Sequence, residues 1–315
     1  MKTLSRLALV TAGFAYALIV LGFVVRITGS GMGCGDDWPL CNGKLIPSFD
    51  SVETVIEYLH RIAALGLSAL TVAVVVLAVR LRGAPGGSGP GGTDRAAYLA
   101  IGLLVLQSLL GAVTVWLELP PHAVVLHLGT AMALLATLLV LGLRAGVAAG
   151  TIAAPPPEAP SRGGIIAAAV LAAFVILLGG MTATTGAAPA CQGFPLCNGQ
   201  IWPSDAGGGL QHIHWTHRLL AYALVLHVLG LGLGLQRKGA VQRILRAGWA
   251  VAGLTVAQVA VGAVMVLTHL SPHWRGLHAA LGTAVWVALV WLLWLTVTRA
   301  GAGAPEAAGA QAQAA

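Results

Sequence analysis

Glu57-Tyr-Leu-His60-Arg61 returns in this chain as His214-Trp-Thr-His217-Arg218, and the loop ahead of it returns too. Trp38-Pro-Leu-Cys41-Asn-Gly-Lys-Leu-Ile-Pro47 is echoed by Cys191-Gln-Gly-Phe-Pro-Leu-Cys197-Asn-Gly-Gln-Ile-Trp-Pro203. Upstream, Arg26-Ile-Thr-Gly-Ser-Gly-Met-Gly-Cys34 has a shorter counterpart in Thr184-Thr-Gly186. A second motif pairs Gln107, Gly111, His122 and His127 with Gln258, Gly262, His273 and His278. The offset is 157 residues for the first histidine motif and 151 for the second. A repeat this long is a duplicated domain and not a solenoid.

The surroundings of these motifs are apolar. Hydrophobic residues make up 57% of the 315 and charged residues 9%, with a mean hydropathy of +0.87. No soluble domain of this size hides so much apolar surface, so the fold class is an all-α integral membrane protein. Eight spans are expected, at 7–28, 53–79, 96–117, 123–143, 164–185, 211–235, 247–268 and 275–298. The first is too long for a signal-peptide core. Twelve of the seventeen Lys and Arg residues fall on the side of the termini, which places both termini in the cytoplasm and the histidine and cysteine motifs toward the outer face. Most acidic residues, Asp205 among them, fall on that outer side. The net charge of +7 therefore reads as topology, and no basic patch interleaved with aromatics points to nucleic acid.

The Gly/Pro-rich stretches Gly83–Asp94 and Ala145–Gly164, and the Ala/Gly/Gln tail after Arg299, read as mobile linkers. The middle one divides the chain into an N-terminal four-helix half, 1–150, and a C-terminal half, 151–315, that ends in the tail. All four cysteines lie in the first outer loop of each half: Cys34 with Cys41, and Cys191 with Cys197. A disulfide in each loop is the leading reading in an oxidising compartment. A redox-active pair and a four-thiolate zinc site are the competing ones.

Four histidines recur at matched depth, about two turns from the outer ends of even-numbered spans: His60 with His217, and His127 with His278. Ionisable groups inside a bilayer need partners and mark functional sites. Facing imidazoles in a helix bundle are a standard axial ligand set for haem iron, so one b-type-like haem position per half is the economical account. Arg61 and Arg218 follow the first ligands and are candidate partners for haem propionates. His122 and His273 stand at the mouths of spans 4 and 8 and read as solvated caps; His212, His227 and His269 have no counterparts. Position for position, Glu57 answers to His214. It lies three residues before His60 on the same helical face, where a carboxyl group can move protons, stabilise positive charge or direct a substrate group, and the asymmetry makes the first half the candidate chemical site.

With these residues in place the chain resembles haem A synthase of the bacterial type with cysteine-paired outer loops. The resemblance rests on Glu57-Tyr-Leu-His60-Arg61, His127, Trp215-Thr-His217-Arg218, His278 and the two Pro-Leu-Cys-Asn-Gly loops, and it covers about residues 5–298. It implies eight transmembrane helices in two pseudo-symmetric four-helix bundles. The implied reaction oxidises the C8 methyl of haem O to a formyl group, giving haem A for terminal oxidases. His60 and His127 would bracket the substrate haem, His217 and His278 would hold a haem b cofactor, and Glu57 would be the catalytic carboxylate. Cys34–Cys41 and Cys191–Cys197 match the two disulfides of that family. A membrane electron donor or acceptor and haem O synthase are candidate partners, since no nicotinamide or flavin fingerprint is present. The runner-up readings are a diheme membrane cytochrome carrying electrons from quinol and an outer-face thiol oxidoreductase.

Overall fold

The computed structural model describes residues 1–157, 162–204 and 209–296; Asp205, Arg299 and the tail lie outside the described residues. Eight helices carry the fold: α1 (Lys2–Ile27), α2 (Val52–Arg80), α3 (Thr93–Trp116), α4 (Pro121–Ala148), α5 (Gly163–Thr184), α6 (Leu210–Arg237), α7 (Gln242–Leu267) and α8 (Pro272–Leu295). They run from 22 to 29 residues, which at about 1.5 Å per residue exceeds a ~30 Å hydrocarbon core. Large apolar side chains face outward on every one, for example Phe14, Val72, Leu109, Leu126, Phe174, Leu226, Val256 and Trp291. In lipid that is the expected surface, because the bilayer and not the core is the apolar solvent. Starts are set by local chemistry. The Ser51 hydroxyl accepts the Thr54 amide at the head of α2, and Pro121 and Pro272 occupy the first helical position of α4 and α8, where no amide is needed.

Contacts sort the helices into two rings: α1–α2–α3–α4 and α5–α6–α7–α8, each closed by first packing on fourth. Sequential helices pack on one another, and successive crossings of a membrane make such neighbours antiparallel, as in an up-down bundle. Small residues line the tight crossings. Ala8, Ala12 and Ala15 are buried along α1, and Gly142 of α4 receives Leu9 so closely that a side chain there would collide with it. The rings join where α4 meets α5 and where α8 meets α1 and α4. Tyr16 donates its hydroxyl to Ala280 O at 2.8 Å, and Trp286 donates its indole N–H to Met132 O at 3.0 Å, so bonds as well as packing cross the seam.

The α2–α3 connection, expected to be a mobile linker, is a fastened run of turns instead. Gly86, Gly89 and Gly91 take positive φ, Gly87 N–H donates to Ala84 O and Thr93 N–H to Gly86 O, and Arg144 of α4 donates to Gly92 O. Glycine-rich composition here serves tight turns and close approach, not freedom.

Candidate functional site

Each ring carries at one end a disulfide-closed loop, Cys34–Cys41 and Cys191–Cys197. The Asn-Gly dipeptides inside them explain the shape. Asn42 and Gly43, like Asn198 and Gly199, sit at positive φ, and Cys41 and Lys44 exchange both backbone hydrogen bonds, as do Cys197 and Gln200. That is a two-residue hairpin turn of the kind Asn-Gly favours. The two resulting bridges are the sole extended pairings among the described residues.

The loops are clamped to α2 and α6 by the residues first assigned to chemistry. Arg61 donates from Nη1 to Asp37 O and Leu40 O and from Nε and Nη2 to Glu57 Oε1; Glu57 Oε2 accepts the Cys34 amide at 2.8 Å. In the second half Arg218 donates to Gly193 O, Leu196 O and Cys191 O, and its Nε bonds His214 Nε2 at 3.2 Å, while His214 Nδ1 meets Ala187 O. Glu57 and His214 are each 4% exposed. They do the same local job: each accepts from the arginine one turn on and ties the helix to its loop. The guanidinium forks of Arg61 and Arg218, expected to reach porphyrin carboxylates, point instead at the loop carbonyls. A helical motif reveals that Arg61 neighbours His60, but not that a folded loop will cover its donors.

The four recurring histidines stand about two turns inside the same ends of α2, α4, α6 and α8. Each packs on a glycine of the preceding helix. A methyl group added to Gly179 would stand 2.9 Å from His217 Cε1, and one on Gly262 3.0 Å from His278 Cε1; the matching values are 3.2 Å for Gly111 and His127, and 3.3 Å for Gly22 and His60. All four imidazoles thus fill a space that only a missing side chain leaves. Gly22 and Gly179 are separated by the same 157 residues as their histidines, a signal that a repeat alignment would have exposed.

His217 and His278 face one another with ring centroids 6.4 Å apart, inclined at 73°. Two imidazoles on opposite sides of one metal atom, each bound through Nε2 at about 2 Å, would have centroids about 6.3 Å apart. The Nδ1 of His217 is held by Val175 O at 3.1 Å, which fixes the tautomer and leaves Nε2 as a ligand. Both rings line a cavity of about 380 Å³ that draws on α1, α4, α5, α6, α7 and α8. These two imidazoles, facing one another across an apolar cavity, are residues that would hold the iron of a porphyrin. They do not suit a structural cation, since among the described residues no three His, Cys, Asp or Glu side chains gather.

In the first half, His60 and His127 lie within electrostatic reach of each other, and here the halves differ. Gln107 Nε2 lies 3.0 Å from His127 Nε2 and donates to it. Its repeat mate Gln258 donates to the backbone carbonyl of His278 instead. Of the remaining histidines, His122, His269 and His273 are exposed, His227 bonds Gly164 O, and His212 packs edge-on against Trp202. Arg26 and Arg275 line the His217–His278 cavity. By sequence they are two of the five basic residues on the outer side, with nothing in their spacing to connect them to a cavity.

Comparison with known proteins agrees with this architecture. Residues 5–290 match the family model described as cytochrome oxidase assembly protein, COX15-CtaA. The chain is 34% identical over 306 residues to the Heme A synthase of Symbiobacterium thermophilum, which covers 94% of this chain and 96% of the relative. It is 32% identical over 287 residues to that of an Exiguobacterium species, covering 90% and 89%. With that of Shouchella clausii it shares 31% over 305 residues, covering 95% and 98%.

Proposed function

Because the chain belongs to the cytochrome oxidase assembly protein family, with Heme A synthases among its relatives, we propose that it makes haem A, as a membrane oxidoreductase that converts the C8 methyl of haem O to a formyl group. The observation that carries the reading is the pair of facing histidines supplied by each half. One porphyrin position would serve the substrate and the other a resident cofactor.

The assignment of roles follows from the way each half treats its histidines. The His217 and His278 rings stand at the centroid spacing that two ligands of one iron would have, which suits a permanent haem b that relays electrons. In the other half the Gln107 amide occupies the Nε2 of His127. An incoming haem O must displace it, and the amide can return when product leaves. A bond that competes with the iron fits a site that has to exchange its ligand. His60 and His127 therefore bracket the substrate.

Bound haem supplies the oxidising chemistry that no side chain can. The protein's own groups hold the porphyrin and shape the field around it. Glu57 shares the face of His60 one turn away. Both its oxygens already accept hydrogen bonds, from Arg61 and from the Cys34 amide. Electrostatic stabilisation of positive charge developing on the porphyrin edge fits that geometry better than proton transfer. The cysteine pairs read as staples of loops that cap the sites. The locale is the cell membrane, with both termini cytoplasmic and the loops outside, and electrons pass to or from a membrane partner.

Pigment analysis of purified protein tests the scheme. His60→Ala should lose substrate haem and conversion but keep the low-spin b signal, whereas His217→Ala should lose that signal. Equal effects on both pigments, or haem O returned unchanged by fully loaded wild type, would sink it.

A further inference from the structure

The cavity of His217 and His278 is lined largely by apolar groups such as Phe23, Met132, Leu224 and Val285, yet two arginines reach it. Arg26 comes from the end of α1 in the first half. Arg275 sits at the start of α8, three residues before His278 and so on the same helical face, about 4.5 Å nearer the disulfide end. The two guanidinium groups are within electrostatic reach of each other. Among the described residues neither has an acidic partner, because the one ion pair is Arg61 with Glu57 and no carboxylate lines the cavity. Among the described residues Arg26 makes one side-chain hydrogen bond, from Nη2 to Ala183 O at 3.1 Å, and the Arg275 side chain makes none. Two like charges, half-buried beside an apolar space and left with donors to spare, are costly unless an anion completes the site.

We infer that Arg26 and Arg275 are the carboxylate-binding end of this site and take the two propionate groups of the porphyrin held by His217 and His278. The inference rests on the bis-histidine reading above and deepens it. It sets the ring's direction, with the propionate edge toward the disulfide loops and the apolar edge toward Leu224 and Val285. Planar guanidinium forks match carboxylates in pairs of parallel hydrogen bonds, and they are strongest where water is excluded. It also separates the halves. The positions repeat-related to Arg26 and Arg275 are Ala183 and Val124, so the duplication has placed this pair of charges at one porphyrin position only. A haem that stays would be gripped by iron and by carboxylate. A haem that must depart would be spared the second grip.

The test uses detergent-purified full-length protein from haem-deficient cells, titrated with iron protoporphyrin IX and with its dimethyl ester, which lacks the charges. Wild type should prefer the diacid for the His217–His278 site by about tenfold or more, the effect of a hydrogen bond to a charged group. Arg275→Gln and Arg26→Gln should each lose most of that preference while binding the ester as wild type does, which also reports that the variants are folded. Arg275→Lys should keep part of it. Equal affinity of wild type for diacid and ester would overturn the inference, with no variant needed, and so would a preference that survives in both glutamine variants. If instead His217→Ala left the low-spin site intact, the histidine assignment itself would fall, a result readable separately.

Discussion

Gly179→Ala should weaken haem binding at the position proposed for the second half without unfolding the protein. The added methyl would lie 2.9 Å from His217 Cε1, where ordinary contact begins at 3.4 Å, so the ring must retreat by about 0.5 Å. It cannot do so freely, because Nδ1 is tied to Val175 O. A ligand tolerates about 0.2 Å in its distance to a metal, so the retreat would cost His217 the place proposed for it as an iron ligand. Overpacking of this kind costs about 1–3 kcal/mol, equivalent to roughly a 5- to 150-fold loss of affinity. The backbone itself gains, since alanine in a helix interior is better than glycine by about 0.8–1 kcal/mol. Titration of the apoprotein with iron protoporphyrin IX, read at the low-spin bands, measures the first effect, and thermal unfolding without haem measures the second. The damage should decline in the order Gly179, Gly262, Gly111, Gly22 as the clearance grows. Gly253→Ala, with nothing within 4 Å of the added methyl, is the neutral control. Wild-type affinity and spectrum in Gly179→Ala, or equal loss in Gly253→Ala, would refute the idea that these glycines seat the imidazoles.

Glu57→Gln keeps an acceptor for the Cys34 amide but removes the charge beside His60. Conversion should fall at least tenfold with the Cys34–Cys41 loop still protected from protease, whereas Glu57→Ala should expose the loop as well; normal turnover in Glu57→Gln would remove the carboxylate from the chemistry. Arg218→Lys cannot reproduce a fork that serves Cys191, Gly193 and Leu196 carbonyls together, and should cost about 2–3 kcal/mol, seen as faster reduction of Cys191–Cys197 by a water-soluble thiol. Replacing both Cys191 and Cys197 by alanine should leave haem content nearly unchanged, because Arg218 and the Asn198 side chain still fasten the loop. If conversion disappears while both haems are retained, the thiols are reactants and not staples.

The spans, the duplication and the four histidines were legible because each is written in a local pattern: apolar runs, a fixed offset, a matched depth. The helices overrun the expected spans mostly at their basic ends, such as Lys2–Arg6 and Arg237, where long side chains continue a helix beyond the apolar stretch. The Asn-Gly turns were present in the motif as well. The contrast between Glu57 and His214 was visible, but its meaning was not. Only the folded loop reveals that carboxylate and imidazole both act as acceptors for an arginine one turn away. Arg26 and Arg275 were out of reach for a different reason: the cavity they share is assembled from both halves, and no spacing along the chain announces that.

That shared cavity has a consequence for how the protein is made. Ribosomes would deliver α1 first, and at ~5–20 residues per second the stretch from Arg26 to Arg275 takes on the order of tens of seconds to appear. Once α4 is complete, α1 has its neighbours in the first ring but still lacks α8, and the Tyr16–Ala280 bond cannot form. The helices α5, α6 and α7 can insert, yet their pocket has a wall missing until the eighth helix closes against the first. Pigment capture at that position should then follow completion of the chain, so the colour of the protein doubles as a record of finished assembly.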